Sequence, residues 1–256
     1  MNSMALTPAQ YLGCYYREAK YEFLRLMRTP SFVLPALLFP SMFYLLFGVV
    51  MGSGRSGSGD AARYLLASYG VFGVMGAALF GFAVNVAVER ERGFLVLKRA
   101  LPMPPGAYLF AKLVMAMIFA LIISLMLAAI AITLAGVSLA PSQWLLLLVI
   151  NVLGTLPFSA IGLLIGTAFS GQAAPAIVNL IYLPMAFLSG LWIPLSMLPK
   201  FIDTLAPVWP SYHLAQIALK VVGHDAGGSL WMHLLVLAVI TVAFFLVARR
   251  ALVDRG

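Results

Sequence analysis

The residues best suited to do chemistry in this chain are concentrated in the run Glu89-Arg90-Glu91-Arg92, which Gly93 follows. Only 9% of the 256 residues are charged, so four adjacent charges stand out. Alternating carboxylates and guanidinium groups form ion pairs and strong hydrogen bonds, and they avoid lipid. Gly93 permits a sharp change of direction, and residues 94–101 can form a short helix with one apolar and one basic side. The pattern predicts a charged elbow that carries a short amphipathic helix.

The short helix has two interpretations on these grounds alone. It could dock into a groove on a cytoplasmic partner, as amphipathic helices do. It could also belong to an ordinary positively charged loop whose apolar residues lie on lipid headgroups. The residue types favour neither interpretation.

Three other features have the residue types of a reactive site without its spacing. The three histidines, His213, His224 and His233, lack metal-ligand spacing, and a hydrogen-bonded or interfacial role suits them better. Residues 52–57, GSGRSG, match G-x-G-x-x-G but follow an apolar helix rather than a strand, so they predict a flexible turn. Cys14 is alone, which excludes an intrachain disulfide. The sequence predicts no metal site and no catalytic residues.

Composition identifies the elements that must position the charged stretch. The chain is 63% hydrophobic with a mean hydropathy of +1.03, whereas soluble domains are about 45–50% apolar. We therefore predict an all-α integral membrane protein. Segments of about 20 apolar residues predict spans at 31–51, 64–88, 108–136, 144–170, 175–191 and 230–248. The charges that begin at Glu89 place the end of the second span near Val88.

Basic residues predict the orientation of these six spans. The tail before the first span, the loop after the second span and the tail after the last span hold 12 Lys and Arg residues, against 4 on the other side. By the positive-inside rule, both termini and the charged loop are cytoplasmic. No cleavable signal peptide is apparent, so the first span is expected to direct insertion into the cytoplasmic (inner) membrane.

Two further segments have distinctive patterns. Residues 1–30 place Leu12, Tyr16, Ala19, Phe23 and Leu26 at helical spacing, which predicts an amphipathic helix in the cytoplasmic interface. Residues 192–229 are too rich in proline for a span and too apolar for an ordinary loop. We predict a re-entrant pair of short helices there, entering from the outer face. The alternative is an interfacial loop with an aromatic belt.

Polar residues inside the spans are few, and none is charged beyond Lys112. The candidates for a substrate path are Asn85, Asn151, Asn179 and Tyr182. A mostly apolar cavity with few hydrogen-bonding groups suits a lipid or an amphipathic drug-like molecule. A polysaccharide suits it less well, because many polar partners would be expected.

Residues 89–105, ERERGFLVLKRALPMPP, resemble the signature of the ABC-2 type permeases, the membrane subunits of ABC exporters. That signature reads E-R-E-x-G-[TF]-L-x-x-L-[KR] with a proline pair, after the second span. Residues 189–217 are similar to the family's G-x-x-x-P, L-P and P-x-x-Y pattern before the last span. The departures are Phe94, where many members have Thr, and Leu101, where Thr is common.

The resemblance implies a fold and a set of site residues. The fold would be a single ABC-2 (type V exporter) transmembrane domain, 1–256, with an interfacial helix at 1–30, a coupling loop at 89–105 and a re-entrant outer segment at 192–229. The residues that would couple to an ATPase are Glu89, Arg90, Glu91, Arg92, Gly93, Phe94, Leu97, Lys98, Arg99 and Leu101. The residues that would form the outer gate are Gly190, Pro194, Leu198, Pro199, Pro210 and Tyr212.

The resemblance also implies partners. The chain has no Walker motif. ATP and Mg would therefore be bound by a separate cytoplasmic ABC ATPase, and this chain would bind no cofactor itself. Two permeases and two ATPases would form the complex. An exporter of lipid-like or amphipathic molecules is the preferred function, and a polysaccharide or glycolipid exporter is the alternative. An ion-coupled transporter or channel would be expected to have ionisable residues within its spans, and a membrane enzyme would need a catalytic set.

Overall fold

The computed structural model describes residues 8–51, 58–100, 103–104, 106–225 and 228–255. Every regular element in these ranges is helical, which confirms the all-α prediction. The helices are α1 (Pro8–Met27), α2 (Pro30–Phe43), α3 (Ser58–Glu91), α4 (Phe94–Ala100), α5 (Ala107–Thr133), α6 (Pro141–Leu153), α7 (Thr155–Ala168), α8 (Ala174–Leu188), α9 (Lys200–Leu205), α10 (Pro210–Val221) and α11 (Leu230–Arg255). A π-helical segment, Tyr44–Val50, continues α2, and 3-10 turns lie at Leu195–Met197 and Ala206–Val208.

Within the described residues, five helical segments are long and apolar enough to cross a membrane. They are Pro30–Val50, Gly59–Glu91, Ala107–Thr133, Pro141–Ala168 and Leu230–Ala251. The predicted span at 175–191 corresponds to α8, which has 15 residues. At 1.5 Å per residue α8 rises about 22 Å, less than the ~30 Å hydrocarbon thickness. Five of the six predicted spans thus meet the length requirement, and α8 is the short one.

The second span is longer than predicted. Its helix continues through Glu89 and Arg90 to Glu91 rather than ending near Val88. The helix therefore extends three residues beyond the predicted end of the span, and Glu89 in this extension is bonded by protein groups, so its charge is satisfied without water. Lys112, which was counted with the cytoplasmic charges although it falls within the predicted third span, lies in α5.

The centre of the bundle is α3, which packs on α7, α5, α8, α10 and α2. The α3–α7 contact is close because α7 presents two glycines, Gly162 and Gly166. A Cβ at Gly162 would lie 2.9 Å from the carbonyl oxygen of Leu79, and one at Gly166 would lie 2.8 Å from that of Ala83. Small residues four apart allow helix backbones to approach in this way.

Contacts between the helices define two ends of the molecule. The end that holds α1, α4 and the end of α11 is called the basic end, because most Lys and Arg residues lie there. At the other end, the Tyr44 hydroxyl donates to the Ala62 carbonyl, and the Tyr64 hydroxyl donates to the Gly190 carbonyl at 3.0 Å. The start of α3 and the end of α8 therefore lie at the same end, opposite the basic end.

The amphipathic helix α1 packs on α5 through part of the predicted face, namely Ala19, Phe23 and Leu26. Ala19, Glu22 and Leu26 are buried, whereas Leu12 and Tyr16 are 72% and 69% exposed. The predicted apolar face is thus divided: Ala19 and Leu26 pack on the bundle, and the first two turns present apolar side chains outward.

The segment predicted as a re-entrant pair contains α9 and α10 with their flanking 3-10 turns. Helix α10 is largely buried and packs between α3, α6 and α11. Leu214 on α10 reaches the junction of α6 and α7, where a Cβ at Gly154 would lie 2.5 Å from the Leu214 side chain. A glycine is therefore required where α10 meets the bend between α6 and α7.

Candidate functional site

The elbow between α3 and α4 depends on Gly93. Its φ of +72° lies in the left-handed region that glycine adopts without strain. The Gly93 N–H donates to the Arg90 carbonyl at 3.1 Å, and the Gly93 carbonyl accepts from the Leu97 N–H at 3.1 Å. The turn therefore ends one helix and begins the next within two residues.

Helix α4 is attached to the bundle by Leu95 and presents other apolar residues outward. Leu95 is 6% exposed and packs with Phe82, Val86 and Tyr108. Phe94, Val96 and Leu97 are 42%, 61% and 59% exposed. We call these last three residues the α4 patch. Leu101 and the side chain of Arg99 lie outside the described part of the chain.

Lys98 does not point outward with the α4 patch. Its ammonium group pairs with the Glu18 carboxylate of α1 and lies 4.7 Å from the centre of the Tyr108 ring. Lys98 therefore connects α4 to α1 and α5, whereas the sequence assigned it to the partner-facing set.

A charge cluster joins α1, α3 and α5 next to the turn at Gly93. The Glu89 carboxylate accepts hydrogen bonds from the Tyr108 hydroxyl at 2.6 Å and from Lys112 Nζ at 3.1 Å. Lys112 Nζ also donates to Glu22 at 2.7 Å. Arg25 donates to Glu22 at 2.8 Å and pairs with Glu89. Two carboxylates and two cations thus balance, and we refer to Glu22, Arg25, Glu89, Tyr108 and Lys112 as the charge cluster.

Three charged members of the charge cluster are buried, whereas the Arg25 side chain is 42% exposed. Glu22, Glu89 and Lys112 are 5%, 2% and 0% exposed. Burial acts to lower the pKa of Arg25, but the Glu89 and Glu22 carboxylates outweigh it and raise the pKa above its ordinary value. Arg25 therefore remains charged at any physiological pH. Removing one member of such a buried ion pair leaves the other charge uncompensated, which typically costs about 3–5 kcal/mol.

Sequence reasoning identified Glu89 as an elbow residue and missed the other four members of the cluster. Lys112 was counted as a topology charge, and Arg25 as part of a basic tail. The signal for Glu22 was its position, since it lies three residues after Ala19 and four before Leu26, on the stripe that α1 buries.

The remaining charges of the run lie apart from the cluster. Arg90 donates to the Phe169 carbonyl at 2.8 Å, which connects α3 to the loop after α7. Glu91 and Arg92 are exposed. Of the four adjacent charges, Glu89 is therefore a buried member of the cluster and Arg90 contacts a loop. Glu91 and Arg92 are exposed next to the α4 patch.

The predicted outer-gate residues lie at the boundaries of the short helices opposite the basic end. Gly190 has a φ of +76°, and Pro194 and Pro199 precede the 3-10 turn and α9. Leu198 follows that 3-10 turn, and Pro210 begins α10. Tyr212 stacks edge-on against the ring of His213 on α10.

A pair of histidines connects α10 to α11. Nδ1 of His213 lies 2.8 Å from Nδ1 of His233, and Nε2 of His213 lies 2.8 Å from the Pro207 carbonyl. Because a carbonyl only accepts, the neutral His213 carries its proton on Nε2 and accepts at Nδ1. His233 then donates from Nδ1. The two rings form an interhelical hydrogen bond between the outer segment and the last helix.

A cavity of about 610 Å³ opens between α2, α3 and α8. Three of the four substrate-path candidates line it: Asn85, Asn179 and Tyr182. Asn151 does not, and lies with Ser124 in a second, smaller cavity. The lining of the larger cavity is otherwise mainly apolar and contains no charged side chain among the described residues.

Hydrogen-bonding capacity in this larger cavity remains unused. Asn85 donates one amide N–H to the Gly81 carbonyl at 2.7 Å, and Asn179 donates one to Pro175 at 3.1 Å. Each amide keeps a second N–H and its oxygen for another partner. The Tyr182 hydroxyl, by contrast, is directed at the Phe72 carbonyl at 3.3 Å.

Aromatic rings line the end of the larger cavity away from the basic end. Phe72 stacks on Tyr182 with ring centres 4.9 Å apart, and Phe43 stacks on Trp192 at 6.1 Å. The indole Nε1 of Trp192 is buried and has no hydrogen-bond partner within the described residues.

Comparison with known proteins connects these features to a family. Residues 16–223 match the family model described as "ABC-2 type transporter". The chain is also similar to a protein of Bacillus subtilis (strain 168) named "Putative transport permease YvfS". The two are 27% identical over 233 residues, which cover 91% of this chain and 94% of that protein.

Proposed function

Because this chain belongs to the ABC-2 type transporter family, we propose that it is the permease subunit of an ATP-driven exporter. It is a multi-pass membrane protein, and we place it in the cytoplasmic membrane with its basic end inside. The 12-to-4 distribution of Lys and Arg supports this orientation. In this arrangement α8 is the fifth of six crossings, and α9 and α10 re-enter from the outer face.

The single observation that carries the proposal is the α4 patch beside a buried charge cluster. Exposed apolar residues on a polar face mark a docking surface, and Phe94, Val96 and Leu97 suit a groove on a cytoplasmic ABC ATPase. That ATPase would bind the ATP and Mg. A second copy of the permease would complete a complex of two permeases and two ATPases.

The charge cluster would transmit movement from α4 to the spans. Leu95 holds α4 to the bundle, Lys98 ties it to α1, and Glu89 joins α3 to α1 and α5. A displacement of α4 by the ATPase would therefore move three helices together rather than one loop. Rocking of such a rigid unit is how alternating access proceeds in other transporters.

The larger cavity would hold the substrate. Its volume of about 610 Å³ is in the range of ordinary small-molecule sites, about 300–1,000 Å³. Aromatic and aliphatic walls suit an apolar body, while Asn85, Asn179 and the Trp192 N–H suit a few polar groups. A lipid-like or amphipathic drug-like molecule fits this description, and we keep a glycolipid or polysaccharide as the alternative substrate class.

Transport into inverted membrane vesicles tests the proposal. The permease is co-expressed with the ABC ATPase encoded nearest to it, and uptake of a panel of lipids, drugs and glycolipids is measured with and without ATP. We expect the ATPase to co-purify and at least one amphipathic compound to accumulate only with ATP. Absence of co-purification together with ATP-independent uptake would contradict the proposal.

A matched pair of variants tests the cavity. Trp192→Phe removes the unpartnered indole N–H, whereas Trp231→Phe changes a residue of α11 that is 78% exposed. We expect several-fold slower uptake for Trp192→Phe and unchanged uptake for Trp231→Phe. If the two variants took up substrate at the same rate, the substrate would not bind at Trp192 in the larger cavity.

A further inference from the structure

A second cavity, of about 340 Å³, lies between α3, α5 and α6. None of the described residues that line it also lines the larger cavity. Its inner wall consists of the buried Leu66, Leu127 and Leu147, and its rim includes Leu125 and Leu145, which are 52% and 63% exposed. Because exposed leucines on membrane-spanning helices face hydrocarbon, this cavity opens toward lipid.

The cavity has one polar position, formed by Asn151 and Ser124. These residues are 5% and 9% exposed, and the Asn151 amide N–H donates to the Ser124 hydroxyl at 3.0 Å. The other amide atom, Oδ1, is buried and has no hydrogen-bond partner within the described residues. Buried polar atoms in native structures are nearly always bonded, so this oxygen points to a missing partner.

The surroundings restrict what that partner can be. No ionisable side chain lines the cavity among the described residues. Ser124 lies nine residues before the end of α5 at Thr133, a depth of about 14 Å along the helix. A charged headgroup at that depth would lose its water without gaining a counter-charge. An uncharged donor is therefore required.

A hydroxyl group meets this requirement. It donates to Oδ1 as the amide is oriented here. It would also accept a hydrogen bond if the amide were turned so that its nitrogen took that place. The volume is near the lower limit for small-molecule sites, which suits a single alkyl chain or a compact ring system rather than a two-chain lipid.

We propose that the cavity between α5 and α6 binds an uncharged alcohol-type membrane amphiphile, with its hydroxyl on Asn151 and its hydrocarbon along the leucine-lined wall toward Trp144. The site is separate from the proposed transport path. It would respond to the lipid around the protein rather than to the exported substrate.

Photolabelling of the intact protein in liposomes tests the site. The probes are octanol and octane that carry the same diazirine group, and labelled peptides are located by mass spectrometry. We expect the octanol probe to label residues 124–132 or 144–151 at least several-fold more than the octane probe. Unlabelled octanol should reduce that labelling.

Two variants sharpen the result. Asn151→Leu should reduce octanol labelling of α5 and α6 to the level of the octane probe, whereas Asn179→Leu, the same substitution in the larger cavity, should not. Equal labelling by the two probes in the wild-type protein would overturn the proposal, and this comparison does not depend on either variant folding. Labelling confined to other helices would overturn it as well.

Discussion

At the scale of single residues, the charge cluster gives the clearest relation between sequence and role. Glu89 receives hydrogen bonds from Tyr108 and Lys112 and an ion pair from Arg25. Glu89 is only 2% exposed, so these protein groups bond its carboxylate in place of water. Burying such an ion pair costs desolvation energy. The attraction between the charges offsets that cost only while every partner is present. Their value here lies in holding α1, α3 and α5 in one arrangement.

The cluster predicts a large effect of Lys112→Met. The substitution leaves Glu22 and Glu89 with Arg25 as their one remaining cation in the cluster, so we expect a loss of about 3–5 kcal/mol. The measurement is the thermal unfolding midpoint of the detergent-purified protein. Lys20→Met, the same substitution at an exposed position of α1, is the matched control and should leave the midpoint nearly unchanged.

A second substitution makes this prediction specific to charge. Adding Glu22→Gln to Lys112→Met removes the excess carboxylate and leaves Glu89 with Arg25, so the double variant should recover part of the lost stability. If the stability changes of the two substitutions simply added, the cluster would not act as a coupled unit.

At the scale of elements, α4 combines an anchor and a docking surface in seven residues. Leu95 faces the bundle, while Phe94, Val96 and Leu97 face outward. Gly93 allows the chain to reverse so that these faces are presented correctly. Neighbouring residues of one short helix therefore have separable functions, because side chains about 100° apart on a helix point to different surroundings.

The two faces of α4 predict opposite phenotypes. Phe94→Asp should abolish ATPase co-purification while changing the free energy of unfolding by about 0.5 kcal/mol or less, as for other surface substitutions. Leu95→Ala should instead cost about 2–5 kcal/mol, because it removes a buried side chain. Both quantities are measured on the same preparations by pull-down and thermal unfolding. Retained co-purification in Phe94→Asp would show that the α4 patch does not contact the ATPase.

At the scale of the whole molecule, the contacts separate two chemically different ends. The basic end carries the charge cluster and the α4 patch. The opposite end carries α9, α10, the histidine pair and the aromatic rings of the larger cavity. The larger cavity lies between α2, α3 and α8, and α2 and α3 also contact α1 and α4 respectively. Movement at one end can therefore reach the cavity through continuous helices.

This arrangement predicts which residues are reachable from outside the cell. In a Cys14→Ser background, Met197→Cys introduces a thiol at a position that is 75% exposed opposite the basic end. Arg92→Cys introduces one beside the α4 patch. A membrane-impermeant maleimide added to intact cells should label the first variant and not the second. Labelling of both after permeabilisation is the control, and the reverse pattern would invert the proposed topology.

The sequence alone was sufficient for the class of protein and for most of its helices. Apolar length predicts a membrane span because about 20 apolar residues in a helix cover the hydrocarbon thickness, and a helix pairs its own backbone groups there. Five predicted spans correspond to helices of sufficient length, and the resemblance to the ABC-2 family is confirmed by a match over residues 16–223. These properties are local, or they are conveyed by a contiguous motif, so they can be read along the chain.

Tertiary structure alone decided which polar residues meet. Glu22 and Lys112 are 90 positions apart and bond at 2.7 Å, and Asn151 lies with Ser124 rather than with Asn85 and Asn179. The physical reason is that a buried polar group without a hydrogen bond costs free energy. Which partner forms that bond depends on how helices distant in sequence pack together.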